Sequence, residues 1–165
     1  MVEGFTCEVE EEYKGQYRSA CEGPDFYGEH EGKQYCVLHF PGEEKKDDFR
    51  KVLERKLQLP QKDHNFSGAV FPDGTSDFRG VEFDNADFKG AIFRGDASFR
   101  EAQFRGERTD FTSAQFSGQA TDFIEARFSG ERISFNGVRF SSGERTSFQD
   151  AQFSGVGRLQ RSSVQ

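Results

Sequence analysis

The chain contains no tryptophan, a single methionine and few aliphatic residues, which excludes a core built mainly from leucine, isoleucine and valine. Its core-forming bulk has to come from phenylalanine, which occurs 20 times in 165 residues. No apolar run approaches the ~20 residues of a membrane-spanning helix. The start, MVEGFTCEVEEEY, is acidic where an export signal is basic and then apolar, so a cytoplasmic protein is expected. Net positive charge is missing too: the balance is −7, which argues against direct binding to nucleic acid or to an anionic membrane. Most of that charge sits early, since residues 1–63 hold 15 acids and 10 bases whereas residues 64–165 hold 14 and 12. There are only three cysteines, an odd number, which favours free thiols or metal ligands over a disulfide framework. A Gly-rich phosphate loop, a His-Glu-x-x-His pair and a serine elbow are all lacking, so a non-enzymatic protein is expected.

What is present is a ladder. From residue 66 to 153 the chain places Phe66, Phe71, Phe78, Phe83, Phe88, Phe93, Phe99, Phe104, Phe111, Phe116, Phe123, Phe128, Phe135, Phe140, Phe148 and Phe153 at steps of mostly five or seven residues. A five-residue step flips successive side chains across a strand, and it turns them by about 140° on a helix. Neither regular element keeps these rings together. A chain that bends after every few residues does, by wrapping a square coil around one axis. The position two before each Phe also points inward, and it is mostly small, as at Ala86, Ala91, Ala102, Ala114 and Ala126. Glycine often follows two places after Phe (Gly68, Gly80, Gly90, Gly95, Gly106, Gly118, Gly130, Gly155), as tight corners with positive φ would select.

Units such as Ala86-Asp-Phe-Lys-Gly90 and Ala114-Gln-Phe-Ser-Gly118 resemble the pentapeptide repeat proteins. The resemblance covers residues 64–155 and implies an all-β solenoid, a right-handed quadrilateral β-helix, here of about four coils. The head ending in Tyr35-Cys-x-x-His39 is similar to a cysteine/histidine leader found ahead of some members. The chain departs from a strict five-residue array: from Phe99 onward the steps alternate between five and seven, once eight, so a coil takes about 24 residues. Gly106-Glu107-Arg108 and Gly130-Glu131-Arg132 should then lie one coil apart on one edge, with Gly118-Gln119-Ala120 and Gly143-Glu144-Arg145 on the opposite edge. Such corners are either recognition strips or solvated turns in which Glu and Arg neutralise one another.

Residues 1–46 form a small head with too little aliphatic content to fold unaided, which is the physical argument for a metal. Cys7, Cys21, Cys36 and His39 are the candidate ligands, and three thiolates with one imidazole make a common closed zinc site. His30 is an alternative ligand. The competing reading makes Tyr35–Phe40 a buried apolar strand with an inert thiol. Residues 47–63 hold a helix and linker in which Phe49, Val52, Leu53 and Leu57 form one stripe, with Asp47 or Asp48 as N-cap and Pro60 closing it. That stripe is expected to cap the first coil. Residues 156–165 form a polar tail.

Three classes of function follow. The leading expectation is a protein-interaction or structural scaffold with an unidentified protein partner and an open last coil suited to an end-on homodimer. The alternative, implied by the resemblance, is a DNA mimic that modulates a type II topoisomerase, with Asp73, Asp77, Glu82, Asp84 and Asp87 as its acidic cluster. Against it, the outward columns are mixed: Gln103, Arg127 and Gln152 in one, Gln115 and Arg139 in another, with Asp110 and Asp122 followed by Ser134 and Ser147. The third class is a cysteine-based redox or metal-handling protein.

Overall fold

Residues 64–141 and 145–155 wind into a four-sided parallel β-solenoid, and the alternation of two corner types makes them do so. The computed structural model describes residues 7–9, 20–21, 26–58, 64–141 and 145–155. The first face stacks Asn65, Asp87 and the strands Arg108–Asp110 and Arg132–Ser134. Val70–Phe71, Ile92–Phe93, Gln115–Phe116 and Arg139–Phe140 make the second face. On the third, Asp77 is followed by Ala97–Ser98, Ala120–Asp122 and Arg145–Ser147. The fourth holds Glu82–Asp84, Gln103–Arg105, Arg127–Phe128 and Gln152–Phe153. Every pairing within a face is parallel. Each face therefore has four layers joined by three stacking intervals. The rod advances about three turns, fewer than the four coils expected from counting Phe at four per turn.

Registers match the expected columns. Arg127 pairs with Gln103 below and Gln152 above, Arg139 with Gln115, Ser134 with Asp110 and Ser147 with Asp122. Arg108 lies beneath Arg132, and Ala120 beneath Arg145, as the bulge spacing predicts; Gly143 and Glu144 fall outside the described residues.

The first and third faces end in tight five-residue corners. There Ala69, Val81, Ala91, Ala102, Ala114, Ala126, Val138 and Ala151 each donate an N–H to the Phe carbonyl three residues back. The residue two after that Phe lies in the left-handed region: Gly68, Gly80, Gly90 and Gly137, but also Glu101, Ser113, Glu125 and Asp150. The residue before the Phe supports the turn, since the side-chain oxygens of Asn65, Asp77, Asp87, Asp110 and Asp122 each accept the N–H two residues on. The second and fourth faces end in wider corners. Here Asn85 Oδ1 accepts N–H groups from Glu107 and Arg108 in the next coil, and Asp96 Oδ1 accepts those of Gln119 and Ala120.

The glycine expectation holds only in part. Gly95, Gly118, Gly130 and Gly155 are not left-handed. They are small for another reason: a Cβ on Gly118 would come within 2.5 Å of the Asp96 backbone nitrogen. At Gly118 and Gly155 the backbone of the neighbouring coil lies too close for a side chain. The Glu–Arg neutralisation expected at the corners is replaced by a different pairing, in which Arg108 reaches Asp87 at 3.0 Å and Asp110 at 2.9 Å.

Inside, the rings form four columns. Phe71, Phe93 and Phe116 follow one another at 4.5 and 4.6 Å between centroids, and Phe83, Phe104 and Phe128 at 5.0 and 4.6 Å, all nearly parallel. Neighbouring columns meet edge to face, as Phe88 meets Phe99 at 5.8 Å. Stacking along the axis follows from the strand spacing of roughly 4.8 Å.

The near end of the rod is capped. A 3-10 turn at Glu43–Lys45 leads into helix α1, Lys46–Gln58, so Asp47 and Asp48 lie in its first turn rather than at an N-cap. Phe49 and Leu53 are buried, Val52 and Leu57 half-buried, and Phe49 meets Phe71 edge-on at 5.1 Å. Lys45 and Lys56 complete the buried stripe, with ammonium groups over the rings of Phe49 and Phe66. Pro60 lies outside the described residues.

Candidate metal centre

The head places its ligands with two short turns. Strands Gly28–His30 and Lys33–Tyr35 form a hairpin around Glu31 and Gly32, both left-handed, the geometry that a two-residue hairpin turn requires. This hairpin leads directly into Cys36. The chain then reverses, with the N–H groups of His39 and Phe40 donating to the Cys36 carbonyl at 3.2 and 2.9 Å. That reversal replaces the apolar strand considered for Tyr35–Phe40, and it turns the side chains of Cys36 and His39 to one side. Cys7 enters alongside, since Glu8 donates its N–H to the Gln34 carbonyl.

Cys7, Cys21, Cys36 and His39 come together so that their donor atoms all lie within 4.8 Å of one another. Cys7 Sγ is 3.7 Å from Cys36 Sγ. His39 Nδ1 is 3.6 Å from Cys7 Sγ, 3.4 Å from Cys21 Sγ and 3.2 Å from Cys36 Sγ. A tetrahedral zinc bonded at about 2.3 Å to sulfur and about 2.05 Å to nitrogen has edges of about 3.8 Å between sulfurs and about 3.5 Å from sulfur to nitrogen. The Cys7–Cys36 edge and all three edges to His39 are close to those values and every other donor pair lies within 4.8 Å, so a metal ion fits the cluster. His30 stands apart: it is exposed, with its ring 6.1 Å from that of Phe40.

The surroundings set up the ligands. His39 Nε2 donates to the Ser67 carbonyl at 2.9 Å, which fixes the tautomer and leaves Nδ1 facing the sulfurs. The Cys36 backbone N–H donates to Cys7 Sγ at 3.4 Å. Hydrogen bonds from Cys21 and then Cys7 drive the Cys36 thiol far below the usual range, against its burial, while the partnership with Cys36 pushes Cys21 up. Burial disfavours a charged His39, but hydrogen bonding to Cys36 and Cys7 outweighs it and raises the ring to about 9. Closely packed donors that stabilise negative sulfur are what a cation requires.

The centre is tied to the rod. Ser67 belongs to the first tight corner, and next to His39 the Leu38 carbonyl accepts the Val70 N–H and Lys45 Nζ, each at 2.9 Å. Burial pulls the Lys45 ammonium down to about 7. Neither Ser67 nor Lys45 stood out in the sequence; the signal for Lys45 was its place four residues before Phe49 on the helical stripe.

Beside the centre runs a groove of about 520 Å³, walled by Val9 and Tyr35 of the head and by Val70, Ile92, Arg94 and Arg139 of the rod. Among the described residues no helix is long and apolar enough to cross a membrane.

Residues 61–103 match the family model described as pentapeptide repeats (9 copies). That stretch carries pentapeptide repeats. The matched stretch spans the first two layers of the solenoid, and the same corner chemistry continues through the longer coils beyond it. No curated protein and no solved structure matches the chain.

Proposed function

We propose that this chain is a non-enzymatic scaffold for protein–protein interaction, a pentapeptide-repeat rod closed at its near end by a structural zinc centre. The observation that carries the reading is the tetrahedral spacing of Cys7, Cys21, Cys36 and His39. Four protein donors saturate a zinc ion and leave no position for a substrate, as in structural rather than catalytic sites. Three thiols kept available to a metal suit a reducing compartment, in keeping with the cytoplasm.

Elemental analysis of the purified protein is expected to give about one equivalent of zinc, and removal by a chelator should lower the unfolding temperature. Less than about half an equivalent would sink the zinc assignment.

The topoisomerase-directed reading draws on the acidic cluster of the first two layers. Much of that charge is matched locally: Asp77 by Arg79, Glu82 by Arg105, and Asp87 by Arg108. A supercoiling assay decides between the two. Unchanged gyrase activity is expected, whereas inhibition or protection would replace the scaffold reading.

A further inference from the structure

The two ends of the rod differ in chemistry. At the near end the rings of the first layer are covered by α1 and the head. At the far end Phe140, Phe148 and Phe153 are 37, 39 and 39 % exposed, although the rings they stack on, Phe116, Phe123 and Phe128, are buried. Each of the four sheets also ends there on a strand of the last layer, and terminal strands are templates for further pairing.

Arginine pairing follows the same division, although Glu131 and Asp150 are exposed carboxylates toward the far end. In the lower layers Arg79, Arg94, Arg100, Arg105 and Arg108 each pair with a carboxylate. Higher up, Arg127, Arg132, Arg139 and Arg145 are exposed and form no ion pair among the described residues. Arg132, Arg139 and Arg145 open the last-layer strands on three successive faces, so they ring the exposed phenylalanines. Residues 156–165 add Arg158 and Arg161 and no acid.

We propose that the far end of the rod docks an acidic, strand-forming polypeptide segment, whose apolar residues cover Phe140, Phe148 and Phe153 while its carboxylates pair with Arg132, Arg139 and Arg145. Main-chain pairing to an edge strand supplies affinity, and the arginine rim selects the sign of charge. A second copy of this chain fits less well, because joining two far ends would bring two rings of unmatched arginines together. The inference specifies the partner of the scaffold reading and rests on it.

The probe is a labelled peptide of about eight residues alternating glutamate with valine, with a lysine-for-glutamate peptide as control. Fluorescence anisotropy on the full chain should show saturable binding of the glutamate peptide and none of the lysine peptide. Raising salt from low to a few hundred millimolar should weaken binding about tenfold or more. The combined Arg132→Glu, Arg139→Glu and Arg145→Glu variant should lose binding with its circular dichroism unchanged, whereas Arg79→Ala should keep it. Equal binding of both peptides, or no binding, overturns the proposal. So does a doubling of mass in light scattering that the same three substitutions abolish, which would assign the end to a second copy. An unchanged zinc content alongside any of these failures leaves the metal-closed scaffold standing, so the two readings fail separately.

Discussion

At the scale of single residues, the inward position two before each Phe shows how tightly the coil constrains chemistry. Ala86, Ala91, Ala102, Ala114 and Ala126 are fully buried there. Thr109 occupies the same position with no exposure, and its hydroxyl has no hydrogen-bond partner among the described residues. An unpaired buried hydroxyl opposes folding, and valine has nearly the same shape without it. Thr109→Val should therefore raise stability by about 1 kcal/mol in urea titration; a destabilised variant would mean that the hydroxyl is satisfied by something unseen. The ladder positions and the inward alanines were legible from spacing and residue type, whereas the gathering of Cys7, Cys21, Cys36 and His39 was signalled only by residue type and by the Cys36-x-x-His39 spacing. The Ser67 carbonyl was not, because a backbone acceptor for His39 leaves no mark in side-chain identity.

At the scale of elements, two corner types explain the uneven step. Every five-residue step after the first and third faces is a tight turn supported by the side chain before Phe, and the variable steps all belong to the wide corners. The sequence displayed the twelve-residue alternation clearly only from Phe99, because two earlier wide corners, Phe83 to Phe88 and Phe93 to Phe99, are shortened. Asp96 joins one wide corner to the next coil by accepting two backbone N–H groups, at 2.7 and 3.0 Å. Asp96→Ala should cost about 1–2 kcal/mol, and Asp96→Asn, which keeps the accepting oxygen, should cost less than half as much. Equal losses would show that the charge, not the acceptor, holds the corner. The helix was legible as a stripe of Phe49, Val52, Leu53 and Leu57. Its buried lysines were hidden because charged residues are read as solvated, although long stems can lie along a core while the ammonium sits over a ring.

For the whole molecule, each layer touches only its neighbours, so the cost of losing a ring depends on height along the axis. Phe99 is fully buried, stacked between Phe78 and Phe123 at 4.9 and 4.8 Å, whereas Phe148 ends its column. Phe99→Ala should cost about 3–5 kcal/mol and Phe148→Ala roughly a third of that or less, by thermal or urea unfolding. Similar costs would mean that the far end is covered in solution. The solenoid class was legible because one residue type repeats often enough to betray a period, and the open last coil because nothing after it reads as a cap; the difference in arginine pairing between the ends depends on which side chains meet and was not. The number of turns was overread, since four layers enclose only three intervals. The register carries one more implication. Residue 103 sits beneath 127, 108 beneath 132 and 115 beneath 139, an offset of 24, against 21 from 82 to 103 and 25 from 127 to 152. Tandem duplication of one such block would lengthen the rod by a layer with every side chain kept in its column. Duplication of half a block would exchange opposite faces that share one corner chemistry. Length in such a chain can thus change over evolutionary time in discrete increments, while the clasp at the other end stays untouched.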